Sequence, residues 1–99
     1  MTERDRLRKA IRDLHGCDST WLRSEPVRET FEGQTVWDGA VEVFALIDHP
    51  KASVAYAWAH ETDAGGKRYV AVLNVPPIAS AVDAVRASTV AEHARRSGR

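Results

Sequence analysis

Apolar residues near the start of the chain recur at the spacing of a helix. Leu7, Ala10, Ile11 and Leu14 fall at i, i+3, i+4 and i+7, one stripe on a 3.6-residue period. Thr2 is placed to cap this helix, with Asp5 three residues on as a shortened capping box. Gly16 is placed to end it with a positive φ. Arg4, Arg8 and Arg12 make the opposite, solvated face, which also reads as a basic arm for nucleic acid. Cys17 to Pro26 reads as a connector with turn chemistry, its Trp21 and Leu22 tucked onto the core.

From Val27 to Ile47 the period switches to two, with turn signals at Glu32-Gly33 and Asp38-Gly39. Asp-Gly is among the strongest hairpin signals, because both central residues need positive φ. The pattern therefore predicts strands over 27–36 and 40–47, with Gly33 as a bulge. A turn at Gly33 is the alternative, and it would leave one long bent strand. Asp48-His49-Pro50-Lys51 is the next turn.

A further hairpin is predicted from Ser53–Thr62 and Lys67–Val75 around Asp63-Ala64-Gly65-Gly66. A turn at Ala64-Gly65 sets Thr62 opposite Lys67 and His60 opposite Tyr69. One face then carries Val54, Tyr56, Trp58 and His60 beside Tyr69, Ala71, Leu73 and Val75. The other carries Ala55, Ala57 and Ala59 beside Val70 and Val72. Both faces are apolar and need cover. Either the helices lie over the aromatics, or the aromatics meet another chain or a ligand.

Two prolines after Asn74 end the last strand, and Ser80 with Asp83 caps a second helix. Ala84, Ala87, Ala91 and Ala94 give it a stripe of small residues, while Arg86 and His93 leave its buried face open to two choices. The expectation is an α+β domain of order α-β-β-β-β-α. It consists of an antiparallel meander of three to four strands with an N-terminal and a C-terminal helix. Residues 1–99 form the one domain, and 95–99 are a frayed tail.

Composition sharpens this in two ways. Hydrophobic residues make up 43% and charged residues 28%, near globular averages, so a packed core is expected rather than disorder. Cys17 is the single cysteine, which excludes an internal disulfide and suits a reducing cytoplasm. The charged start of the chain lacks the apolar region of a signal peptide, and no apolar run reaches the roughly 20 residues of a membrane span. The net charge of zero is unevenly spread: residues 1–16 carry +2, residues 93–99 carry +3 and the middle carries −5. An acidic middle disfavours a broad phosphate-binding surface.

Little in the chain points to catalysis. It has no nucleophile elbow, glycine-rich phosphate loop or dinucleotide fingerprint. Cys17 follows a helix C-terminus, where the dipole opposes a thiolate. Only His15 and Cys17 have chelate spacing, so neither a metal nor another cofactor is expected. The binding candidates are Trp37, Tyr56, Trp58, His60 and Tyr69. His60 among aromatics reads as the polar anchor of a pocket or as a satisfied histidine at the sheet's end. Trp37, beside the expected Asp38-Gly39 turn, reads as an interface anchor.

The last three strands with their flanking helices give α-β-β-β-α, a topology similar to the double-stranded RNA-binding domain. Asp48-His49-Pro50 resembles that family's histidine-bearing loop. The resemblance implies RNA binding through a lysine cluster opening the second helix, but Ile78 to Asp83 holds no basic residue. The leading expectation is a non-catalytic interaction domain, a homodimer or a partner-binding protein, using its aromatic sheet face. A small-ligand site around His60 and weak nucleic-acid binding are the alternatives.

Overall fold

The computed structural model describes residues 2–61 and 65–97. The elements are α1 (Glu3–His15), β1 (Ser19–Phe31), β2 (Gln34–Leu46), β3 (Val54–Glu61), β4 (Lys67–Leu73) and α2 (Ala81–Ser97). The strands form one antiparallel sheet in the order β1-β2-β3-β4. This is the α+β meander that the alternation predicts. Among the described residues no helix is long and apolar enough to cross a membrane.

The helix starts behave as their local chemistry requires. The Thr2 hydroxyl accepts from the Asp5 amide while the Asp5 carboxylate accepts from the Thr2 amide, and Gly16 closes α1 at φ 72°. Ser80 accepts from the Asp83 amide at the start of α2. The apolar stripe of α1 is narrower than its spacing suggests. Leu7 and Ile11 are buried, but Leu14 is 59% exposed.

The strands differ from expectation in three places, each for a physical reason. The segment expected as a connector is strand: β1 begins at Ser19 and continues through Pro26. An edge strand tolerates proline where the missing N–H would face outward. Leu22 is the unmatched residue of a bulge between Trp21 and Arg23 and stands 45% exposed rather than tucked into the core.

The first hairpin turns at Glu32-Gly33, where φ is 53° and 79°. Both values are positive, as a type I′ turn needs. Asp38-Gly39 therefore lies inside β2, and the bulge falls at Val36, unmatched between the pairs Glu29–Trp37 and Thr30–Thr35.

The β3–β4 register is one residue from the expected one. Ala59 faces Tyr69, His60 faces Arg68 and Glu61 faces Lys67. A slip of one exchanges faces, so Tyr69 leaves the side of Tyr56 and Trp58 and joins the alanines.

One helix covers each face. On the first, Leu7 and Ile11 of α1 pack on Phe44, Ala55 and Ala57, joined by Trp21, Tyr69, Ala71 and Leu73. On the second, Ala81, Ala84 and Val85 of α2 pack on Val27, Val41, Val43, Tyr56 and Trp58. Ala87 and Ala91, expected in the small-residue stripe, face solvent. Arg86 donates to Glu29 on β1 at 3.2 Å. The aromatic face is thus covered from within the chain.

Candidate binding cleft

The middle of the sheet is zipped along only part of its length. β2 and β3 pair from Glu42–Ala57 to Ala45–Val54, and the ladder stops there. Both strands continue, β2 back to Gln34 and β3 on to Glu61. Between the two continuing stretches lies a cleft of about 610 Å³.

Antiparallel ladders alternate bonded and non-bonded pairs, so the backbone groups that face this cleft can be read from bonds nearby. The Leu46 amide donates to the Ser53 carbonyl. Stepping by two along each strand, residues 44 and 42 of β2 face residues 55 and 57 of β3. The next steps are Asp38 and Ala40 on β2, and Ala59 and Glu61 on β3. Their N–H and C=O groups point into the cleft, and no β2–β3 pair closes on them. The same alternation turns the nitrogen of Pro26, opposite Ala40, away from β2.

The two sides of the cleft differ in chemistry. On the α2 side, Trp37 lies across Gly39 and meets Trp58, with ring centroids 5.8 Å apart and planes at 54°. A Cβ on Gly39 would come within 3.0 Å of the Trp37 ring, so this glycine is the seat of an indole. His60 lies on the same side, half-buried.

On the α1 side stand Asp38, Glu42 and Glu61 from the strands and Glu3 from the helix. Glu3 takes Lys67 Nζ at 3.4 Å and the Tyr69 hydroxyl at 3.3 Å. Asp38 takes the Arg28 guanidinium at 3.1 Å. Among the described residues Glu42 accepts from neutral donors alone, Trp21 Nε1 at 2.7 Å and Ser24 Oγ at 2.5 Å. Arg4 stands 3.5 Å over the Trp21 ring just beyond. Among the described residues no group of three or more His, Cys, Asp or Glu is arranged to hold a metal ion.

The structure divides the expected binding residues. Trp37, Trp58 and His60 line the cleft. Tyr56 is buried beneath α2, where burial, reinforced by the charge of Glu25, pushes its phenol above the usual range. Tyr69 lies on the opposite face, on Glu3. His49 Nδ1 accepts from the amides of Lys51 and Ala52, closing its own loop. The carboxylates and open strand edges escape a sequence reading that assigns Asp38-Gly39 to a turn. Their one signal is the glycine two residues after Trp37, which in a strand marks a close approach. No protein-family model matches the chain, and no curated protein or solved structure matches it either.

Proposed function

We propose that this chain is a non-catalytic interaction domain that binds an extended segment of a partner by strand addition in the cleft between β2 and β3. One observation carries the reading: two strand edges face each other across a cleft after their shared ladder has ended. Open backbone donors and acceptors in a row supply affinity for an extended peptide, and the flanking side chains supply selectivity. The Trp37–Trp58 pair gives the cleft an apolar wall of the kind that anchors interfaces. The half-buried free thiol of Cys17 suits a reducing cytoplasm.

The test is a selection of linear heptapeptides from a random displayed library, followed by amide chemical-shift mapping of the winners. The expected shifts centre on Asp38, Ala40, Ala59 and Glu61. Ala59→Pro removes one open donor without taking a bond from β4, and it is expected to weaken binding about 5- to 10-fold, the worth of one hydrogen bond. Winners that map instead to the outer edge of β4 would replace this reading with edge pairing. A small molecule or nucleic acid occupying the cleft in place of a peptide would replace it with a ligand site around His60.

A further inference from the structure

We infer that the segment the cleft accepts alternates basic and apolar side chains, the basic ones toward α1 and the apolar ones toward α2. This rests on the strand-addition reading and adds the partner's chemistry to it. An added strand would lie in the plane of the sheet, so its side chains would point alternately to the two faces. On one side they meet Trp37, Trp58 and His60, and among the described lining residues there is no carboxylate, lysine or arginine. On the other they meet Glu3, Asp38, Glu42 and Glu61, and among the described residues no lysine or arginine lines the cleft.

The cations nearby offset this field only in part. Arg28 is held by Asp38 and Lys67 by Glu3, both at the rim, and Arg4 lies over Trp21. Among the described residues four carboxylates line the cleft, two of them holding a cation, while Glu42, which shares a neighbouring hollow with Arg4, accepts from an indole and a hydroxyl and makes no ion pair. A lysine or arginine entering from the cleft satisfies Glu42 and Glu61 without displacing an existing ion pair. Complementarity of this kind selects the partner more than it tightens the complex. The alternation of the two walls also sets the register, because a slip of one residue would aim the basic side chains at the indoles and the apolar ones at the carboxylates.

The experiment compares three end-blocked heptapeptides, each with valine at alternate positions and lysine, serine or glutamate at the rest. They are titrated against the intact protein, with tryptophan fluorescence and amide shifts as readouts. The lysine peptide is expected to bind most tightly and to weaken as salt rises, while the glutamate peptide does not bind. Glu61→Gln is expected to weaken the lysine peptide about two- to five-fold, the worth of one exposed ion pair, and so to narrow its advantage over the serine peptide. Equal binding of all three peptides, with shifts at the four cleft amides, would overturn the charge pattern and leave strand addition standing. Shifts elsewhere, or no binding by any of the three while library winners also fail to map to the cleft, would overturn both.

Discussion

Gly39 keeps the cleft in its present form by having no side chain. Its φ is outside the left-handed region, so the backbone there accepts any residue and the constraint is purely steric. The atoms nearest an added Cβ belong to the Trp37 ring, at 3.0 and 3.1 Å, and that ring is held from behind by Trp58, only 3% exposed. Gly39→Ala is therefore expected to displace the indole. It should cost about 1–3 kcal/mol, the range for overpacking, and shift tryptophan emission to longer wavelength as Trp37 meets water. Denaturant titration and emission spectra check both effects. An unchanged spectrum at unchanged stability would mean the ring is not seated on the glycine.

At the scale of elements, the sheet's open edge at β4 is guarded from α1. The Asn74 amide donates to the Val54 carbonyl, which marks that pair as bonded and, by alternation, turns Tyr69, Ala71 and Leu73 outward. The outward carbonyl of Ala71 is met by His15 Nε2 at 2.9 Å. An apolar edge strand without such cover is a template for pairing with another copy. His15→Ala is expected to cost about 0.5–1.5 kcal/mol and to raise the dimer fraction in sedimentation velocity, with His15→Gln, which keeps a donor, nearer the parent. A monomer at all concentrations would show that the apolar edge does not need this guard.

This scale also separates what the sequence disclosed from what it withheld. Capping at Thr2–Asp5 and Ser80–Asp83 was legible because each bond closes within three residues. The turn at Glu32-Gly33 was masked by a stronger local signal at Asp38-Gly39, whose glycine serves Trp37 from two residues away. The β3–β4 register hung on one residue of loop length, and that residue decided the side of the sheet on which Tyr69 stands. Trp58 and His60 could be picked out as aromatic and titratable in an alternating strand, and Trp37 as an indole beside an expected turn that the structure does not make. The cleft that gathers them could not, because it exists only where one ladder ends while two others continue.

Across the whole molecule, the two hairpins behave as blades joined along a short central seam. β1 and β2 pair over nearly their full length, and β3 and β4 likewise, whereas β2 and β3 share only the stretch from Glu42–Ala57 to Ala45–Val54. The seam is also well packed: Val43, Phe44, Ala55 and Ala57 are each fully buried. Amides bonded along it open only with most of the fold, while those facing the cleft have no partner to lose. Native-state hydrogen exchange should therefore divide neighbours on the same strand. The seam-facing amides of Phe44, Leu46, Ala55 and Ala57 should exchange slower than those of Asp38, Ala40, Ala59 and Glu61 by about two orders of magnitude or more. Comparable protection in both sets would mean that the ladder runs on and the cleft is closed in solution. If the sets divide as expected, adding a peptide that fills the cleft should slow the second set and leave the first unchanged. Binding elsewhere that tightened the whole fold would instead slow both.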